Sequence, residues 1–374
     1  MKKVKYLDSI DTCLSNPNEK IQQAAVNALY PLTKYYFPVN PITKKPTDRL
    51  QKRIVSKYVN IVQTENNAAM TRGFALALGY LPYKLLVPIV EILENIISCL
   101  CHSSDKHSNV GGEGDAETRR NSIISLQRIC QTIIIHQNNT TADSTTDDNT
   151  ILNKSTAFPF IFTTLLSSME DYNTDRRGDV GSWSRIAAMT ALKEILLTIH
   201  DNNYINYKVS IELYNEILGS FLKQLSEKLD NIRSHAGSCM QELIIRLSNN
   251  DDNNNNIIIP PEHKFIYDSI ILLQQQEQQD HKQEEEEEIN SISNNSVNWS
   301  NASITFPFLI KILKQSYFSK DIISGMVISV GGLTQNVVMH ATSSFLEWIR
   351  FLEKDNNTFA LKQVMQGMCC VFYF

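Results

Sequence analysis

The sequence predicts an all-α protein built as an array of repeated helix pairs. Three observations predict it. Apolar residues recur at i, i+3, i+4 and i+7, as in IQQAAVNALYPL (21–32) and RIAAMTALKEILLTI (185–199), the spacing that gathers one apolar stripe along a helix. The alternation that marks a half-buried strand is scarce. A polar residue near the start of an amphipathic segment also returns at a near-constant interval. Gln22, Arg72, Arg120, Arg185 and Arg233 stand 50, 48, 65 and 48 residues apart, and removing the polar insertion at 136–150 from the long interval restores about 50.

Within each segment the neighbours of that residue repeat as well. Three positions later stand Ala25, Ala75, Ile123, Ala188 and Ala236, four of them small enough to let two helices cross closely. Three positions earlier stand Glu19, Ala69, Glu117, Ser182 and Asp230, mostly caps or acids that suit a helix N-terminus. DNIRSHAGSCMQEL (230–243) looks most like the second helix of a HEAT repeat, with an acidic cap, an aliphatic residue, an Arg and then a small residue. The expected architecture is therefore a HEAT/armadillo-type helical repeat solenoid, a superhelix whose concave wall grips a partner, because no single repeat can bury its apolar face alone.

The repeats are expected over 1–248, with loop insertions at 102–115 and 136–150. A low-complexity insertion rich in Asn, Gln and Glu follows at 249–295, and further repeats, cut short at the C-terminus, fill 296–374. The three biased stretches read as flexible loops, since their composition cannot bury enough apolar surface to offset the entropy of ordering. The Gln/Glu run at 274–288 also suits a helix extended into solvent.

Bulk properties narrow the function classes. A formal charge of −5 with interspersed Lys and Arg gives no basic stripe, so nucleic acid is not an expected partner. Leu81–Cys101 is the most apolar stretch, but Lys84, Glu91, Glu94, Pro82 and Pro88 interrupt it, which argues for buried helices and against a membrane span. Lys2, Lys3 and Lys5 are followed by Asp8 and Asp11, so no apolar signal core follows them. Seven scattered cysteines fit reduced thiols in the cytosol.

The most informative stretch is DYNTDRRGDVGSWSRIAAMTAL, 171–192. Asp171, Asn173 and Asp175 alternate as in a calcium loop, but Arg176 stands where such a loop needs Gly and Ser182 where it needs Glu. The Arg-Gly-Asp tripeptide at 177–179 has meaning only outside the cell and counts as an accident of composition. In the repeat frame the stretch is a long turn between FPFIFTTLLSSMED (158–171) and the next helix, with Ser182 as its cap. Either Arg176 and Arg177 pair with the neighbouring acids and pin the turn, or the turn touches a partner. The candidate partner-binding residues are Asp171, Tyr172, Asp175, Arg176, Arg177, Asp179 and Trp183. Trp183 and Trp299 are each a core cap or an interface anchor, and the first turn of a packed helix favours the core for Trp183.

Other chemistry is weakly supported. Cys99, Cys101, His102 and His107 offer soft ligands, but their spacing matches no standard zinc site. VGGEG at 110–114 lacks the strand before it and the Gly-Lys-Ser/Thr after it that a phosphate loop requires. Gly331 and Gly332 suit a turn between helices. No nucleophile elbow, His-Glu-x-x-His helix or paired carboxylate in an apolar setting occurs, so no catalytic residue, metal or cofactor is expected.

The stretch MEDYNTDRRGDVGSWSRIAAMTAL strongly resembles a segment of the tubulin-folding cofactor D family. TRGFALALGYLP (71–82), LQRICQTI (126–133), SVNWS (296–300) and GMVISVGGLTQNVVMHATSSFLEW (325–348) agree with the same family, in order. The resemblance implies a non-catalytic cytosolic chaperone of the microtubule cytoskeleton. Such a protein binds β-tubulin released from the chaperonin and works with cofactors E and C and an Arf-like small GTPase, with GTPase-activating action only in that complex. Family members are much longer, and the similarity is to their C-terminal part. The alternative, resting on periodicity alone, is a general HEAT scaffold for another protein partner.

Overall fold

A computed structural model describes residues 2–36, 48–86, 90–108, 115–140, 157–249, 256–284, 297–332 and 334–354. The bulk of the 136–150 insertion, the VGGEG stretch, the end of the Glu-rich run and the C-terminal QVMQGMCCVFYF lie outside these residues. The described chain is all-α apart from one two-residue-per-strand hairpin. It divides into two compact units, Met1–Lys208 and Val209–Phe374.

The first unit contains α1 (Lys2–Leu14), α2 (Glu19–Tyr36), α3 (Asp48–Thr64), α4 (Ala68–Leu78), the single turn α5 (Tyr83–Leu86), α6 (Val90–Ser104), α7 (Ala116–Thr140) and α8 (Ala157–Ser168). The hairpin β1 (Thr174–Asp175) and β2 (Gly178–Asp179) then leads into α9 (Gly181–Asp201). The first helix of each pair packs on the second: α1 on α2, α3 on α4, α6 on α7, α8 on α9. Second helices also pack on one another in chain order, α2 on α4, α4 on α7 and α7 on α9, while α3, α6 and α8 do the same. Local side chains start several of these helices. Asn67 accepts from Ala69 N and Met70 N ahead of α4, and Asp115 accepts from Thr118 N at 3.0 Å ahead of α7, each satisfying helix donors that have no partner within the helix.

The polar residue used as a repeat marker falls in the first turns of a second helix every time, and the structure explains why a polar group belongs there. Gln22 donates to the Asn16 carbonyl in its own inter-helix turn and to the Ala69 carbonyl at the start of the next second helix, both at 2.7 Å. Arg72 reaches Asp115, again at the head of the next second helix, at 2.6 Å. These groups, Gln22 buried and Arg72 partly so, satisfy turn carbonyls or caps that burial would otherwise leave unbonded.

The third marker needs correction by one residue. Arg120 is partly exposed and pairs with Glu19 at 2.8 Å, whereas its neighbour Arg119 is buried and reaches into the following turn. With Arg119 as marker the position three later is Ser122, fully buried and small like Ala25, Ala75, Ala188 and Ala236. The apparent exception at Ile123 disappears.

The second unit contains α10 (Ile211–Leu225), α11 (Asp230–Ser248), α12 (Pro261–Glu284), α13 (Ala302–Leu313), α14 (Ser319–Val330) and α15 (Gln335–Lys354). Helix α10 packs on α11 and α14, α11 on α12, and α13 on α15. Here Arg233 is the marker, donating to the Glu227 carbonyl at 2.9 Å and to the Ser300 carbonyl at 2.8 Å. Gly331 closes α14, its N–H bonding the Val327 carbonyl at 3.2 Å, and the chain turns into α15 as the two glycines suggested.

Three loop readings shorten. α12 occupies much of the stretch read as a low-complexity loop at 249–295, because His263, Ile266, Ser269 and Ile270 recur at helical spacing and are all buried. That stripe lies in HKFIYDSI (263–270), ahead of the Gln/Glu run that gives the stretch its biased composition. Ahead of it Ile257 bridges to Val209, with Val209 N on the Asn256 carbonyl at 2.8 Å. Likewise α6 runs to Ser104 and α7 to Thr140, so the insertions at 102–115 and 136–150 begin inside helices.

Candidate functional site

The turn from Asp171 to Ser182 is an ordered hairpin. Thr174 faces Asp179 and Asp175 faces Gly178, which leaves Arg176 and Arg177 as the two residues at the tip. Neither adopts a left-handed backbone; the positive φ that closes the turn falls on Gly178, at 103°, where the absence of Cβ makes it inexpensive. Asp175 accepts from the Arg177 N–H at 2.6 Å, an Asx turn that fixes the tip.

Three contacts hold the hairpin to the preceding helix pair, and a fourth ties its tip together. Asp171 is buried and accepts from Arg119 Nε of α7 at 2.8 Å. Asn173 donates to the Lys106 carbonyl at 3.0 Å. Arg177 pairs with Glu117 at the head of α7 and with Asp175, each at 2.7 Å. Glu117 in turn lies 3.3 Å from Arg72, so the tip joins a chain of alternating charges, Asp175–Arg177–Glu117–Arg72–Asp115. Hydrogen bonding from Arg177 holds the Asp175 carboxyl below its ordinary range. Burial raises Asp115, but the hydrogen bonds from Arg72 and Thr118 outweigh it and the net shift is downward.

On the other side the hairpin is built into α9. Asp179 accepts from Ser182 N at 3.0 Å, so Asp179 caps the helix and Ser182, expected as the cap, sits inside its first turn. The hairpin sets the chain entry such that a carboxylate three residues ahead reaches the free donors first. The other Asp179 oxygen meets the buried Arg185 guanidinium at 2.7 Å. Arg185 lies 4.2 Å from the centroid of the Tyr172 ring, and Arg177 lies 4.9 Å from that of Trp183, two cation–π contacts.

The candidate residues thus separate. Asp171, Asp179 and Tyr172 face inward or along the hairpin base as positioning groups. Trp183 is half-buried beneath Arg177, while Asp175 and Arg177 are exposed but tied to each other. Arg176 is exposed, and its guanidinium forms no ion pair or hydrogen bond among the described residues. Of the two tip arginines, Arg177 pins and Arg176 projects. Sequence reasoning missed Arg119, Glu117 and Lys106, which come from the previous pair. Only the small residue at Ser122 hinted that Arg119 and not Arg120 turns inward.

Elsewhere, Cys99 and Cys101 are buried in α6, with burial pushing their thiols up to about 12 and about 11, while His102 and His107 are exposed. The four do not converge. No group of three or more metal-ligating side chains occurs among the described residues. Trp299 is buried, its indole N–H donating to Gln241 at 2.8 Å, so it is core and not an exposed anchor. No described helix is long and apolar enough to cross a membrane.

Comparison with known proteins adds to this geometry. Residues 215–372 match the family described as tubulin folding cofactor D C terminal; the hairpin lies before that match. The chain is 23% identical over 358 residues to tubulin-specific chaperone D of Dictyostelium discoideum, an alignment covering 91% of this chain and 22% of that protein. The chain therefore spans about a fifth of the length of this relative. The resemblance found in five sequence segments thus extends to nearly the whole chain, which is similar to tubulin-specific chaperone D and matches, at 215–372, the family described as tubulin folding cofactor D C terminal.

Proposed function

We propose that the chain acts in tubulin folding as a binding protein with no catalytic step of its own. It takes β-tubulin released from the chaperonin and, with cofactors E and C and an Arf-like small GTPase, contributes to assembly of the αβ heterodimer in the cytoplasm, at the microtubule cytoskeleton. Any GTPase-activating action belongs to that complex. The observation that carries this reading is the match of 215–372 to the cofactor D C-terminal region, joined to the similarity with a tubulin-specific chaperone over 91% of the chain. The consecutive packing of second helix on second helix supports a HEAT/armadillo-type solenoid within the first unit.

Arg176 is the group on the hairpin best suited to a carboxylate on the partner, since its planar fork is exposed and uncommitted. Capture of β-tubulin from lysate by the tagged chain tests the function. Enrichment over a bead control is the expected result, with Arg176→Glu reducing it and leaving the melting temperature unchanged. Absence of enrichment by the folded parent chain would sink the tubulin reading. Reduction by Arg176→Glu only in proportion to lost stability would remove Arg176 from the interface.

A further inference from the structure

A groove of about 730 Å³ opens in the first unit between the end of α2, the turn at α5 and the outer face of α7. Tyr30, Lys34, Tyr83, Lys84, Arg128 and His136 line it, and no described lining residue is acidic. In a chain whose formal charge is −5, that local excess of cations is a specific feature. Lys34 and Arg128 form no ion pair among the described residues. Arg128 lies over the Tyr80 ring, 3.6 Å from its centroid, and its buried Nε has no acceptor among the described residues. Lys84 donates to the Lys34 carbonyl, which brings the two ammonium-bearing residues together. Burial, and then the charge of Lys34, lower the Lys84 pKa, as expected for a cation in a positive field. Beside these charges the groove is apolar: Tyr30 is 41% and Ile135 46% exposed, and the Tyr83 and His136 rings stack with centroids 3.7 Å apart.

We infer that this groove is a docking site for an acidic peptide segment of a protein partner, with carboxylates on Lys34, Lys84 and Arg128 and an apolar side chain against Tyr30 and Ile135. Charge complementarity selects the occupant. A few carboxylates match a few cations, whereas a nucleic-acid backbone needs a longer basic track, because its affinity comes from many phosphate contacts. The remaining acidic surface would repel it. The inference rests on the groove's chemistry alone and goes beyond the tubulin reading, so either can fail without the other.

The test uses the full chain and a fluorescein-labelled octaglutamate peptide followed by anisotropy. Saturable binding that weakens with salt is the expected result. Lys34→Glu should weaken it by about tenfold, the scale of reversing one close charge. Ile135→Glu, which places a carboxylate in the groove without removing a hydrogen bond, should do the same. Lys264→Glu, an equal charge change in the second unit, should alter it less than about twofold. Melting temperatures of all three should match the parent. Absence of saturable binding, equal weakening by Lys264→Glu, or equally tight binding of oligouridylate or inorganic phosphate would each overturn the assignment.

Discussion

Arg119 and Asp171 stand 52 residues apart in sequence and form an ion pair at 2.8 Å with both side chains about 1% exposed. Asp171 also accepts the Asn173 N–H at 3.1 Å, whereas Arg119 Nη1 and Nη2 are buried with no acceptor. Among the described residues the carboxylate is therefore the only counter-charge paired with this buried guanidinium. Asp171→Ala is expected to cost about 3–5 kcal/mol, the range for stranding one member of a buried pair. Urea unfolding of the single variant and of Arg119→Met/Asp171→Leu checks this: the double variant should recover most of the loss. A single-variant loss near zero would show that the hairpin is held without this pair.

Arg177 and Arg176 should behave differently. Arg177→Ala removes the partly exposed pair with Glu117, worth about 0.5–1 kcal/mol, and frees the tip. Arg176→Ala should leave stability unchanged, because nothing described within the chain depends on it. Thermal melts of the two variants side by side decide the point, and equal losses would contradict the division.

Gly237 lies against Trp299 so closely that an added Cβ would meet Cγ and Cδ2 of the indole ring. Gly237→Ala is therefore expected to destabilise the second unit by about 1–3 kcal/mol through overpacking. Gln241→Leu should cost a similar ~1–3 kcal/mol by leaving the indole N–H buried without an acceptor. Denaturation followed by tryptophan fluorescence reports both, and a Gly237→Ala protein as stable as its parent would refute the contact.

His263 is 3% exposed, with Tyr214 Oη at 2.6 Å from Nδ1 and Ser248 Oγ at 2.7 Å from Nε2. Burial lowers its pKa from 6.5 to about 4. Between those values the unfolded chain holds a proton that the folded unit does not, so stability rises with pH across that window. Acidification from pH 6.5 to 4 should remove up to about 3 kcal/mol, and below pH 4 this contribution stops growing. Urea titrations at several pH values should show the slope in the parent and a flatter one in His263→Gln. Equal slopes would assign the pH dependence to other groups.

The sequence by itself determined the helices and their pairing order. Periodic apolar positions and the recurring Gln22, Arg72, Arg185 and Arg233 are local features, and a helix converts such spacing directly into a buried face. The five matching segments were likewise legible as residues in order. Tertiary structure decided what each polar residue faces. Whether Arg119 or Arg120 turns inward is one step of about 100° around α7, and only the turn of the next helix pair selects Arg119, because Asp171 waits there. The same holds for α12, where His263, Ile266, Ser269 and Ile270 become a buried stripe only once α11 supplies a surface to cover them. It holds too for the groove beside α7, since Lys34, Lys84 and Arg128 come from three separated segments that packing alone brings together.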